Sequence, residues 1–250
     1  HPQPAVFEMV DADVSGLVSG AHLRTAKVAE QGRALMLAIA PIRARFGIES
    51  LAVASYQAIS GAGLGTLDRF VANSRAGYAG DRLGHAFSPT GYAGNTVPHN
   101  GKTDESGYSS EERKMMLESA KILAMPGLPF SAQCCRVPVA VGHYEQVWVT
   151  LKERAEVADL ESIFRAGPPF VRFVPGASGE GLSARQCLEA RAEAFVGRIR
   201  RDLRDREGRS FCLTVVADNL RLGAATNAVR IAAQWFPVED PLLRSQTSAN

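Results

Sequence analysis

The stretch from Ala194 to Asp218 constrains the fold most. "FVGRIRRDL" and "FCLTVVAD" are two runs of strand-forming residues, and the turn "DREGR" lies between them. Runs of that length joined by so short a polar link predict an antiparallel hairpin. Upstream, "CRVPVAVGHYEQVWVTLK" reads as one long strand, or as a strand pair bent at Gly142, and "PFVRFVPG" as a further strand. "SLAVAS" at residues 50–55 is a short apolar run suited to a buried strand. Between these lie helical patterns. "ALMLAIAPIRARF" at 34–46 reads as a buried helix that Pro41 kinks or restarts, and "LDRFVANSRAG" as a helix closed by Gly77. "SSEERKMMLESAKIL" at 109–123 is amphipathic, with Ser109 or Ser110 as N-cap and acids in its first turn. "VADLESIFRAG" is a short helix, and "LGAATNAVRIAAQWF" a closing helix rich in small residues. Helices mixed with hairpin-joined strands imply an α+β fold on a mixed or antiparallel sheet.

Residues 77–109 are rich in Gly, Ser, Pro, Asn and Tyr and read as a long loop. Such a loop is expected to be functional or to reach a partner subunit. Residues 1–33 lack a period and read as an atypical N-terminal segment; 34–236 form the main domain and 237–250 a frayed tail.

Composition narrows the function classes. A net charge of +2 from 28 basic and 26 acidic residues argues against a nucleic-acid partner. No apolar run reaches the roughly 18 residues of a membrane span. No secretion signal opens the chain, which starts at His1 and so reads as trimmed or processed. Cys134, Cys135, Cys187 and Cys212 lack metal-ligand spacing, and adjacent Cys134 and Cys135 would face opposite sides of a strand. The expectation is reduced thiols in a cytoplasmic protein without a metal.

Three features carry candidate chemistry. The turn "SGAGLG" departs from G-x-G-x-x-G spacing and lacks the later acidic residue, so it reads as a plain turn before a helix, not a cofactor site. Arg136 and His143 flank "VPVAVG". Their odd spacing would put them on opposite faces of a flat strand, whereas a bulge or bend at Pro138 or Gly142 would bring both to one site. Alone, they read as a strand arginine and a satisfied core histidine. Glu111 and Lys114 share a helix face at i, i+3, which alone reads as a solvated ion pair.

Taken together and in order, "SYQAISGAG", "NTVPH", "EERKMMLESAKIL", "CRVPVAVGHYE", "VGRIR" and "DNLRLGAATNAV" resemble aspartate-semialdehyde dehydrogenase over about residues 34–236. That resemblance implies the family's catalytic and dimerisation domain, an α+β unit with helices packed on one face of a mixed sheet. In the family, NADPH reduces aspartyl phosphate through a cysteine thioester. By motif position, Arg136 looks like the carboxylate-binding arginine and Glu111 like the amine-binding glutamate. Lys114 looks like the phosphate-side lysine, His143 like the proton-transfer histidine, and Gln57 like the glutamine that orients the cysteine's partner. The residue types suit these tasks: arginine offers a planar fork to a carboxylate, and histidine exchanges protons near neutral pH.

Two departures shape the functional expectation. No dinucleotide-binding pattern precedes the matching region, so no cofactor is expected unless NADP binds as in a complete dehydrogenase. Counting back from Pro41, the nucleophile's place falls on Glu30. A carboxylate there would act as a base, because it forms no thioester. The expectation is therefore a non-redox enzyme that grips an amino acid through Arg136 and Glu111 and uses Glu30 and His143 for acid–base chemistry, such as condensation with an aldehyde or Pictet–Spengler cyclisation. The alternatives are an NADPH-dependent oxidoreductase of the aspartate-semialdehyde dehydrogenase type represented by a fragment, or a non-catalytic dimerising paralogue. A homodimer is expected, because the closing helix and the open sheet face need cover.

Overall fold

A computed structural model describes residues 30–80, 87–99, 101–176, 178–190 and 192–225. Its strands are β1 (Ile48–Gln57), β2 (Val97–Pro98), β3 (Phe130–Arg136), β4 (His143–Leu151), β5 (Val171–Val174), β6 (Ala194–Arg201) and β7 (Ser210–Ala217). They form one sheet in the order β2-β3-β1-β4-β7-β6-β5. β1 runs parallel to β3 and β5 parallel to β6, while the remaining neighbours are antiparallel. The sheet is therefore mixed and the fold α+β. β6 and β7 form the hairpin that the sequence predicts, with a register shift between Gly197 and Arg200.

The long segment around "CRVPVAVGHYE" resolves differently from either strand reading. β3 and β4 do not pair with each other; each flanks β1, on opposite sides. Their link crosses the end of β1, where Ile59 N–H donates to Val139 O at 2.9 Å and Ser60 N–H to Ala140 O at 3.0 Å. A proline at position 138, which has no N–H to give, suits this crossing better than a strand interior. Gly142 then turns the chain into β4 at φ 101°, and a Cβ there would lie 2.5 Å from Ala184 O. Only glycine meets both demands.

Helix α1 (Glu30–Phe46) lies across the sheet and packs on β4, β6 and β7. Its residues Leu35, Met36, Ile39 and Ile42 are fully buried, the stripe that a helix presents to a core. The helix begins earlier than the apolar run at Ala34 and continues through Pro41. Burial on both sides of that proline outweighs the roughly 3 kcal/mol that it costs inside a helix. Helix α2 (Leu64–Gly80) passes Gly77 and ends at Gly80. Helix α3 (Ser110–Ile122) packs on β3, and α4 (Val157–Arg165) on β5 and β6.

The covered face of the sheet is apolar over most of its area, with Leu51 and Val53 on β1, Val147, Val149 and Leu151 on β4, and Leu213 and Val215 on β7. On the opposite face, Leu182, Cys187, Phe195 and Val216 form a smaller buried cluster beside β6 and β7. Elsewhere that face is open, and Tyr56 stays 37% exposed with its ring edge-on to Tyr144. The long irregular stretch contains β2 and an isolated bridge between Thr103 and Ser109. The closing helix read at 222–236 falls mostly outside the described residues; the chain enters a π-helical turn at Asn219–Ala225. Among the described residues no helix is long and apolar enough to cross a membrane.

Candidate functional site

The apolar face changes character at one end, where two rows of polar side chains replace the aliphatic ones. Alternation puts Ser55 and Gln57 on the same face of β1 as Leu51 and Val53. The same rule places Cys134 and Arg136 together on β3, and His143 and Glu145 on β4 with Val147. Register aligns them across strands: Gln57 pairs with Arg136, while Ser55 pairs with Cys134 on one side and Glu145 on the other. His143 opens β4 just beyond the Tyr56–Tyr144 pair, beside Gln57. All six of these residues are buried.

The outer row closes around the residue after β1. Ala58 N–H donates to His143 Nδ1 at 2.9 Å. Arg136 Nη1 donates to Ala58 O at 2.9 Å. The spacing of Arg136 and His143 is thus reconciled by strand order rather than by a bulge in one strand: each arrives from a different side of β1. The 3-10 turn Ile59–Ala62 carries Gly61 against both side chains. A Cβ there would lie 2.8 Å from Arg136 Nη1 and 3.5 Å from His143 Nε2. Asn219 fixes the turn, because its Oδ1 accepts from Gly142 N–H at 3.0 Å and its Nδ2 donates to Ser60 Oγ at 2.9 Å.

This geometry sets the state of His143. An amide N–H only donates, so Nδ1 carries the lone pair and the neutral ring holds its proton on Nε2. Burial, followed by the charges of Arg136 and His99, lowers its pKa to about 3. The ring is therefore neutral at ordinary pH and offers an Nε2–H to whatever lies beside Gly61.

Helix α3 brings the remaining predicted residues to the rim. Ser109 and Glu112 form a capping box. Glu112 Oε2 accepts from Ser109 N–H at 2.7 Å, and its Oε1 accepts from Cys134 N–H at 2.8 Å. One carboxylate thus starts the helix and ties it to β3. Its neighbour Glu111 lies 3.8 Å from Lys114, whose side chain is 60% exposed. At this distance, with Lys114 in solvent, the pair contributes little, so Lys114 remains available to a ligand. His99 joins them, with Nε2 lying 3.1 Å from Arg136 Nη2. Burial first and then Arg136 lower its pKa, while Glu111 and Glu112 oppose that shift.

Ser55 and Glu145 of the inner row carried no role in the sequence reading. Both carboxylate oxygens of Glu145, the Ser55 hydroxyl and, in the outer row, both amide atoms of Gln57 are buried with no hydrogen-bond partner among the described residues. Burial raises the Glu145 pKa to about 8. The signal for Glu145 was its place two residues after His143 in an alternating strand. His99 stands in "NTVPH" but carried no assigned role. Glu30 is the first residue of α1, and its side chain lies outside the described residues. The four cysteines are free. Burial pushes the Cys134 thiol far above its usual range, with Glu112 and Glu111 adding to the effect, so it is a poor nucleophile.

The family described as semialdehyde dehydrogenase, dimerisation domain, matches residues 39–222. Aspartate-semialdehyde dehydrogenase of Aquifex aeolicus is 34% identical over 199 residues, covering 79% of this chain and 58% of that protein. The Bacillus subtilis enzyme of the same name is 33% identical over 212 residues, covering 79% of this chain and 59% of that protein. A crystal structure of aspartate semialdehyde dehydrogenase II from Vibrio cholerae, complexed with ASA, superposes with a TM-score of 0.74 at 28% identity, covering 84% of this chain and 61% of that one. The chain spans less than two thirds of the length of these relatives. It belongs to the semialdehyde dehydrogenase family. These relatives overturn the expectation of a non-redox condensing or cyclising enzyme: proteins similar to this chain over most of its length are dehydrogenases by name, and the oxidoreductase alternative fits better.

Proposed function

We propose that this member of the semialdehyde dehydrogenase family carries the substrate-holding and dimerising part of an oxidoreductase of the aspartate-semialdehyde dehydrogenase type. The carrying observation is the joint hold of Arg136 and His143 on Ala58, with Glu111 and Lys114 close enough to act on His99, which touches Arg136. Arg136 presents its guanidinium to the α-carboxylate of an amino-acid substrate. Glu111 meets the ammonium group, and Lys114 the phosphate of an acyl phosphate. His143 gives a hydrogen bond from Nε2 to the reacting oxygen, and Gln57 orients the reacting group from the row between them. Support for the substrate class comes from the relatives' names and from the neighbour solved with ASA.

Thioester formation is not assigned to the described residues. Cys134 lies in the row beneath Arg136 with its thiol held protonated. Glu30, in the place counted for the thiol, would exchange protons from the positive end of α1 but would form no thioester. NADP fits no described group. The close approach that Gly61 permits is filled by Arg136 and His143, leaving no cradle for a phosphate. A second copy of the chain would cover the open sheet face at Tyr56, Tyr144 and Trp148, as the family's dimerisation domain implies.

The test is to titrate the full chain with L-aspartate and, separately, with NADPH, following tryptophan fluorescence and thermal shift. A response to L-aspartate is expected. No response to it would overturn the reading of the pocket, and a response to NADPH would place a dinucleotide site on this chain.

A further inference from the structure

We infer that His99 is a displaceable cap on the Arg136 guanidinium, holding the fork until a substrate carboxylate replaces it and thereby setting the affinity for that carboxylate. The inference rests on the reading of Arg136 as the carboxylate-binding group, and goes beyond it by naming what the carboxylate must displace.

The argument begins with strand register. β2 pairs with β3 so that Val97 faces Arg136 and Pro98 faces Cys135, and His99 N–H donates to Cys134 O at 3.0 Å. This pairing points the His99 ring along β3 toward Arg136, where Nε2 reaches Nη2 at 3.1 Å. The guanidinium is then closed on two sides. Its Nη1 gives to Ala58 O with Gly61 packed against it, and its Nη2 faces the ring. The first closure is built from buried backbone, whereas the second is a half-buried side chain just after a two-residue edge strand. An arriving carboxylate would take the second.

The ring is also poorly satisfied where it sits. Gly101 N–H points at His99 Nδ1 at 3.3 Å, while Arg136 points a donor at Nε2. A neutral imidazole has one in-plane lone pair, so it accepts from only one of these and turns an N–H toward the other. Protonation would worsen both contacts, in line with the lowered pKa. A carboxylate brings only acceptors. On Arg136 it would make a bidentate charge-assisted pair in place of the ring's single contact, and the released ring would be free to accept from Gly101 N–H at Nδ1.

The experiment is calorimetric titration of the full chain with L-aspartate for wild type, H99A, H99Q and R136A. H99A is expected to bind about tenfold more tightly, the worth of one hydrogen bond to a charged group no longer surrendered. H99Q, whose amide oxygen can accept from Arg136 as the ring does, is expected to return to wild-type affinity. R136A is expected not to bind. Equal or weaker binding by H99A, with wild type still binding, overturns the cap and leaves the Arg136 reading standing. Absence of binding in both wild type and H99A overturns the Arg136 reading, and the cap falls with it.

Discussion

Arg136 and His143 approach β1 from opposite sides and hold the backbone of the same residue. His143 Nδ1 takes the N–H of Ala58, and Arg136 Nη1 gives to its carbonyl, each at 2.9 Å. A cation and a neutral ring are thereby locked in fixed relation by a residue that belongs to neither strand. The position of Gly61 against both makes this the tightest point of the site.

Replacing Gly61 with alanine would put a methyl group 2.8 Å from Arg136 Nη1. The long arginine side chain would move rather than the turn. We expect G61A to keep its melting temperature within a few degrees and to lose about tenfold or more in affinity for L-aspartate, about 1.4 kcal/mol. Unchanged affinity would show that the guanidinium does not contact the ligand.

His143 should stay neutral far into acid. Its folded pKa of about 3 lies below the ordinary imidazole value of 6.5, so the stability linked to the neutral ring is present above pH 6.5. That contribution is lost as pH falls toward 3. Nitrogen-15 NMR of the imidazole at pH 5 should show a single proton, on Nε2. A doubly protonated ring at that pH would contradict the buried Nδ1 contact.

Glu145 titrates in the opposite sense. Its folded pKa of about 8 lies above the ordinary carboxyl value of 4.5. The protonated, buried form favours folding at low pH, and this contribution is lost as pH rises from 4.5 through 8. Above pH 7, where the His143 contribution is already complete, thermal melts should therefore fall with pH up to about 8 in the wild type and stay flat in E145Q. Parallel curves for the two proteins would show that Glu145 does not carry this linkage.

Glu112 holds the start of α3 and the β3 backbone at once. E112A should cost about 1–3 kcal/mol in urea unfolding, the range for a lost cap and an unsatisfied buried amide. It should also weaken L-aspartate binding, because Glu111 and Lys114 lose their placement. A variant as stable as the wild type would mean that the capping box is replaced by solvent.

Local chemistry was legible in the sequence wherever the signal lay within a few residues. The Ser109–Glu112 box, the β6–β7 hairpin and the apolar stripe of α1 are of that kind. The meeting of Arg136 with His143 was legible only as a requirement, because strand order is non-local: nothing between the two residues announces that β1 runs between them. His99 depends on the pairing of a two-residue strand, too short to carry a periodic signal. Glu145 could have been found from alternation alone, since an acid on the buried face of β4 breaks an otherwise apolar series. The functional expectation went astray because it weighed the glutamate at position 30 above six ordered motifs that resemble a dehydrogenase.

The central claim is that Arg136 is a planar fork for an amino-acid carboxylate, and R136K tests it most directly. Lysine keeps the charge but loses the bidentate geometry. Calorimetry with L-aspartate should show at least about tenfold weaker binding by R136K, equivalent to about 1.4 kcal/mol, with the variant still folded. Wild-type affinity in R136K would contradict the account, because it would reduce Arg136 to a positive charge that any cation could supply.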